Sequence, residues 1–232
     1  MINKFDLSRR SYIQTALGLL LLVVIGSVAT FSQSVKKPGY GILIDNTGSL
    51  RQQFPREIDI AKEIVNQLDG NSSISVFMFA TVSGQEVAVA TAGIECSSEK
   101  PTILRQLEGI RVEGGQTLLL GSISMIGIRL GSEKPATCPE YSEKKLIVIS
   151  DGEDRVSKIT ASELAGELKA GGTVVYAIGL IEDLSSGAKS EAKEFLTKIT
   201  KETGGKVIFP KKKQSASEIV ADLLGVAPKV SK

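Results

Sequence analysis

The order of apolar and polar positions from residue 40 onward predicts alternating strands and helices. Apolar side chains that recur at helical spacing predict helices near 58–68, 101–107, 117–130, 164–168, 192–199 and 219–224. Short apolar runs bounded by turn residues predict strands over 40–45, 74–80, 86–91, 146–150, 174–180 and 207–209. The second and third runs flank Ser83-Gly84 and together predict a hairpin.

Strands this apolar, separated by helices, are typical of a largely parallel sheet that is buried on both faces. We therefore predict one doubly wound α/β domain over residues 38–226. Its mostly parallel, six-stranded sheet has one antiparallel edge strand, 86–91, and helices on both faces. Residues 227–232 are predicted to form a C-terminal tail.

The first 34 residues are predicted to be a targeting signal rather than part of the folded domain. An uncharged, mostly apolar run over 16–31 follows Ser8-Arg9-Arg10, which resembles a twin-arginine export signal. A buried helix of the domain is the alternative, but the run is not amphipathic. We expect an exported protein with two possible outcomes. Either the signal is cleaved after about Ala29, or 16–31 stays as an anchor in the cytoplasmic membrane.

Composition removes several classes of function. The chain has no histidine, which excludes Ser-His-Asp and Cys-His nucleophilic sites and histidine-ligated zinc. Three of its 28 basic and one of its 26 acidic residues fall within the first 34 positions, which leaves 25 of each. A neutral domain lacks the electrostatic footprint of a nucleic-acid-binding protein.

Two predicted strands end in aspartate, Asp45 and Asp151. In open α/β sheets, sites lie at the carboxyl ends of the strands. The loop that begins at Asp45 has neither the glycine pattern of a dinucleotide-binding turn nor that of a P-loop. It offers a carboxylate and two hydroxyls within five residues, Asp45-Asn46-Thr47-Gly48-Ser49. Such oxygen donors suit Mg²⁺, Mn²⁺ or Ca²⁺.

Three segments in order resemble the metal-ion-dependent adhesion site (MIDAS) of the von Willebrand factor type A (vWA) domain. They are Asp45-x-Thr47-x-Ser49, Gly114-Gly115-Gln116-Thr117 and Ser150-Asp151-Gly152. The resemblance runs from about residue 40 to 225, and the phrasing is similar to bacterial exported, acidobacterial-type vWA-related proteins. It implies a vWA fold and a divalent cation, Mg²⁺ before Mn²⁺ or Ca²⁺.

The resemblance also implies a role for each residue. Thr47, Ser49 and Thr117 would bind the ion directly through neutral hydroxyls. Asp45 and Asp151 would hold its bound waters or shift inward as anions behind the direct ligands. Neutral ligands leave much of the ion's charge uncompensated, so the site would attract a carboxylate from another molecule. The implied function is a non-enzymatic, metal-dependent protein-binding module whose protein partner presents an Asp or Glu, with no nucleic acid.

The sequence departs from the family pattern at two places. Threonine stands at 47 where serine is usual, although the hydroxyl is retained. Leu118 and Gly121 stand where a small residue and an acid often follow the second motif. Glu153, Asp154 and Arg155 after the third motif either form a solvated loop or tune the choice of ligand.

Each motif also has a simpler explanation. Asp45 and Ser49 could cap the next helix or shape a turn, Thr117 could be an N-cap, and Asp151 could open an ordinary turn. The alternative function is a scaffold with a vestigial or purely structural ion. An enzyme that positions phosphate around Mg²⁺ is a third class, disfavoured because no general base has a mechanism-specific spacing. The predicted export signal argues against a cytoplasmic metal-chelatase or ATPase accessory subunit.

Cys96 and Cys138 are the two cysteines of the chain. In an exported domain they favour a disulfide, and two buried free thiols are the alternative. The antiparallel strand runs away from the edge of the sheet that carries Asp45 and Asp151, and Cys96 follows it. The helix that starts near Thr117 runs the same way, and Cys138 follows it. Both cysteines should therefore meet at the opposite edge.

Overall fold

The computed structural model describes residues 36–81, 87–113, 116–154 and 156–227. The predicted export segment, the turn at 83–84, Gly114-Gly115, Arg155 and the tail beyond 227 lie outside the described residues. No helix within the described ranges is long and apolar enough to cross a bilayer.

In the described part of the chain, the sheet has seven strands in the order β4-β3-β2-β1-β5-β6-β7. All neighbouring strands are parallel except β3, which runs antiparallel to β2. The fold class is confirmed: the six predicted strands are present, and the two-residue β4 adds a short pairing outside β3. The strands are β1 Lys37–Ile44, β2 Ser73–Thr81, β3 Val87–Ser97, β4 Gln116–Thr117, β5 Tyr141–Ser150, β6 Thr173–Gly179 and β7 Val207–Ile208.

Helices cover both faces of the sheet, as the apolar pattern predicts. They are α1 Phe54–Gln67, α2 Lys100–Gly109, α3 Leu119–Leu130, α4 Ala161–Ala170, α5 Ser186–Thr203 and α6 Ala216–Leu224, with a short 3₁₀ helix at Gly48–Leu50.

Two hydrophobic cores lie on opposite faces of the sheet because side chains alternate along each strand. Ile42 and Ile44 of β1 belong to the core that α1, α2 and α6 cover. Leu43 points the other way, into the core that α3, α4 and α5 cover. Central strands are therefore apolar on both faces, which explains their continuous apolar runs.

The parallel strands define two edges of the sheet. The site edge is where β1 and β5 end, at Asp45 and Asp151, and the remote edge is where these strands begin. The described chain enters β1 at the remote edge. Lys206 precedes β7 and donates to the backbone oxygen of Asp222 in α6.

A disulfide joins Cys96 and Cys138 at the remote edge, with their Cα atoms 5.4 Å apart. Ser97 pairs with Ile74 at the beginning of β2, which places the end of β3 at this edge. Cys96 adopts φ +44° where the register between β2 and β3 shifts. The predicted bridge and its distance from the site edge are confirmed.

Candidate metal site

Asp45 is the centre of the site and is fully buried at the end of β1. Its backbone N–H donates to Glu57 Oε1 at 2.7 Å and to the Ile149 oxygen at 3.2 Å. Its Oδ1 accepts from the Thr47 hydroxyl at 2.6 Å, and its Oδ2 accepts from the Ser150 hydroxyl at 2.5 Å. One carboxylate therefore connects the first and third predicted motifs.

The three predicted hydroxyl ligands form a continuous row. Thr117 Oγ1 donates to Thr47 Oγ1 at 3.2 Å, although the two residues are 70 positions apart. Thr47 Oγ1 lies 3.4 Å from Ser49 Oγ. Thr47 and Thr117 are buried, whereas Ser49 is exposed. The row therefore leads from the buried carboxylate to the surface, where a partner could reach it.

Asp151 completes the predicted set. It directly follows Ser150, is buried, and accepts from the Glu153 N–H at 3.0 Å. Its negative charge contributes to the raised pKa of Asp45. The structure therefore brings all five predicted residues to one edge of the sheet. That they bind a metal stays a prediction.

The site concentrates acidic groups in a buried environment. Burial, assisted by repulsion from Asp151, raises the pKa of Asp45 from its usual 3.8 to about 6, against opposing hydrogen bonds from Ser150 and Thr47. Burial and then repulsion from Asp45 also raise the pKa of Glu57 well above its usual value. Among the described residues, neither Asp45 nor Glu57 forms a salt bridge. A cation would relieve this repulsion.

The donor set also decides which cation fits. Within the described ranges, no group of three or more His, Cys, Asp or Glu is placed to hold a metal ion. The predicted set combines the hydroxyl oxygens of Thr47, Ser49 and Thr117 with the carboxylates of Asp45 and Asp151. These oxygen donors fit a hard divalent cation.

The structure tests the capping alternatives. Thr47 precedes the 3₁₀ helix and Gln53 precedes α1, and neither side chain caps its helix. Asp45 does accept from the Thr47 N–H, which is an Asx turn. The prediction that a helix begins at Thr117 is wrong. Thr117 belongs to β4, and α3 begins at Leu119.

Asn46 is a fully buried residue of the site that the sequence did not indicate. Its Oδ1 accepts from the Phe79 N–H at 2.8 Å, and its Nδ2 donates to the Arg111 oxygen at 3.1 Å. Its backbone oxygen accepts from the Glu113 N–H at 2.7 Å. Asn46 thus fixes the first loop to β2 and to the segment before the second motif. A variable position inside a motif gives no sequence signal for such a role.

Glu57 is a second residue that the sequence reasoning missed. It is an acid at a buried position of α1, and its Oε2 has no hydrogen-bond partner among the described residues. A signal was present, because Glu57 lies three residues after Phe54 and three before Ile60, on the apolar stripe of the helix. A charged residue on such a stripe indicates a specific interaction in the interior.

The sequence profile of the von Willebrand factor type A domain matches residues 41–222. This chain belongs to that family. The family and fold that the three motifs predict are confirmed. No curated protein sequence matches the vWA chain closely enough to count as a relative.

Solved structures share the fold at low sequence identity. An aerotolerance-related membrane protein from Bacteroides fragilis is 16% identical with a TM-score of 0.59, covering 81% of this chain and 97% of that one. Proximal thread matrix protein 1 from the mussel byssus, with a zinc-occupied MIDAS motif, is 20% identical with a TM-score of 0.59. That match covers 82% of this chain and 47% of the mussel chain, so this chain spans about half of it.

The manganese-loaded TRAP protein of Plasmodium vivax is a third neighbour. It is 15% identical with a TM-score of 0.51, and the match covers 68% of this chain and 63% of that one. At these identities the neighbours show the common fold alone.

Proposed function

We propose that this vWA domain is a metal-dependent protein-binding module displayed outside the cytoplasmic membrane. The observation that carries the proposal is the convergence of Thr47, Ser49 and Thr117 with two buried aspartates, Asp45 and Asp151. The cation we propose is Mg²⁺, with Mn²⁺ or Ca²⁺ as alternatives. The partner is a protein that presents an Asp or Glu carboxylate.

The residues divide the work of holding the cation. The hydroxyls of Thr47, Ser49 and Thr117 would be its direct ligands, and Asp45 and Asp151 would supply negative charge behind them. When bound, the cation supplies an electrophilic position for a partner's carboxylate. The exposure of Ser49 at the end of the row gives the partner a route to that position. The manganese and zinc recorded for two neighbours support a divalent cation here.

The location outside the cytoplasmic membrane has two supports. Residues 1–34 have the pattern of an export signal or a signal anchor. The Cys96–Cys138 bridge suits an oxidising compartment, because reducing cytosols keep such thiols apart.

A second candidate is a scaffold whose ion is vestigial or structural. The observation that favours it is that the Thr47 hydroxyl already donates to Asp45 and the Thr117 hydroxyl already donates to Thr47. In that case a cation would affect stability and no ligand would depend on it. Both candidates are non-enzymatic.

Calorimetric titration with Mg²⁺ and Mn²⁺ tests the site. Wild-type protein should bind one ion, and the Asp45→Ala variant should bind none while its circular dichroism stays that of a folded domain. Equal affinity in both proteins would overturn the site.

The bound carboxylate needs its own probe. N-acetyl-aspartate amide should displace water from the Mn²⁺-loaded protein and lower the water-proton relaxation rate, while the matched asparagine compound should not. Mn²⁺ binding without any response to the aspartate compound would favour the scaffold.

A further inference from the structure

Helix α3 begins without a cap of its own. Leu118 occupies the N-cap position and has no side-chain oxygen to accept from the first N–H groups of the helix. These groups therefore need acceptors from elsewhere in the molecule. Because Thr117 lies two residues before this helix, whatever caps α3 also affects the second metal loop.

The acceptors come from the third metal loop. Asp154 Oδ2 accepts from the Leu120 N–H at 2.6 Å, and Ser157 Oγ accepts from the Gly121 N–H at 3.1 Å. The sequence offered a solvated loop or a ligand-tuning role for Asp154. The structure instead shows its carboxylate, partly buried, at the first turn of a helix 34 positions away.

The same carboxylate also orders its own loop. Asp154 Oδ1 accepts from the N–H groups of Val156 and Ser157 at 3.1 and 2.8 Å. Its Oδ2 accepts from the Ser157 hydroxyl at 2.5 Å. Hydrogen bonds thus join Asp154 and Ser157 into one unit, which we name the clasp, and the clasp binds the start of α3.

The clasp joins the second and third metal loops at positions that have the same sequence spacing from the predicted metal residues. Asp154 lies three residues after Asp151, and Leu120 lies three residues after Thr117. The first loop is bonded to the second through Thr47 and Thr117, and to the third through Asp45 and Ser150. The clasp supplies the link between the second and the third.

We propose that Asp154 is a positioning residue of the metal site, which sets the separation of Thr117 and Asp151 without touching the cation. This inference rests on the proposed metal-binding function. Residues that orient metal ligands typically change metal affinity by about 10–100-fold when they are removed. The clasp therefore belongs to the site and does more than cap a helix.

The test measures Mn²⁺ affinity by calorimetry in full-length protein, well below its melting temperature. Asp154→Ala should weaken binding by about tenfold or more. Ser157→Ala, which leaves the Asp154 carboxylate in place, should weaken it less. The matched control is Ser215→Ala, which removes the capping box of α6, a helix that is not part of the three metal loops. It should lower the melting temperature and leave affinity within about twofold of wild type.

A double-mutant cycle separates positioning from general destabilisation. If Asp154 acts through Thr117, then Asp154→Ala should have little further effect on affinity in a Thr117→Ala background. An undiminished effect in that background would overturn the positioning role, as would wild-type affinity in Asp154→Ala.

Other outcomes remain decisive. If Asp154→Ala does not fold, Asp154→Asn and Ser157→Ala replace it, and wild-type affinity in both would overturn the proposal. Failure of wild-type protein to bind Mn²⁺ would instead contradict the proposed function.

Discussion

The site edge and the remote edge of the same sheet differ in how they affect stability. At the site edge Asp45, Asp151 and Glu57 are buried together, and their charges oppose one another. At the remote edge a disulfide joins Cys96 to Cys138. The comparison teaches that one edge of the sheet bears buried charges that destabilise the fold, whereas the other bears a covalent bond that stabilises it.

Removing the disulfide should lower the free energy of unfolding more than any other change predicted below. In the chain-entropy treatment, a bridge across 42 positions contributes about 4 kcal/mol to the free energy of unfolding. Urea unfolding of oxidised protein and of the Cys96→Ser, Cys138→Ser double variant would measure this loss. The Mg²⁺ affinity of the folded double variant should equal that of wild type, and a tenfold change would contradict the independence of the edges.

A change of pH should have the next largest effect on the free energy of unfolding, in metal-free protein. The pKa of Asp45 is raised from 3.8 to about 6 in the folded state, so the folded protein holds a proton that the unfolded chain has released. The stabilisation is therefore complete below pH 3.8 and is lost as the pH rises through about 6. The shift corresponds to about 3 kcal/mol.

Urea unfolding between pH 4 and 7 in a chelator would measure this loss. Surface acids also titrate near pH 4, so the difference between wild type and Asp45→Asn isolates the contribution of Asp45. Saturating Mg²⁺ should remove this loss of stability with rising pH, because the cation replaces the proton. A difference that rises with pH would refute the assignment.

Substitution of two glycines with positive φ, one near each edge, allows a direct comparison of the edges. Gly152 at the site edge has φ +80°, and a Cβ there would lie 2.9 Å from the Ala192 Cβ. Gly204 after α5, towards the remote edge, has φ +85° and open space around it. Gly152→Ala should cost about 2–3 kcal/mol, from backbone conformation and crowding, whereas Gly204→Ala should cost about 1 kcal/mol.

Thermal unfolding and Mn²⁺ titration of both glycine variants would check this comparison. Only Gly152→Ala should also weaken metal binding, because Gly152 follows Asp151. Equal loss of affinity in the two variants would show that the edges are not independent.

The sequence was sufficient for features that a local pattern encodes. Continuous apolar runs predicted the central strands, and three short motifs predicted the five site residues that the fold brings together. Strand lengths were harder. β5 begins at Tyr141, five residues before its predicted start, because its first half contains the exposed Ser142 and Glu143.

Features that arise only from tertiary contacts were not predictable. The clasp joins Asp154 to Leu120, and the pairing of β4 depends on where β3 happens to lie. Asn46 has the same character, since its partners Phe79 and Arg111 are distant in sequence. Glu57 is the exception, because an acid on an apolar helical stripe was visible and was not used.

Strand β1 has a mechanical consequence for a protein that is held by its N-terminal side. It begins at Lys37 on the remote edge and leads directly into Asp45 at the site edge. A pull on a bound partner, resisted through the chain before Lys37, would therefore load β1 along its length. Because β2 and β5 pair with β1 on both sides, their hydrogen bonds would share that load in shear.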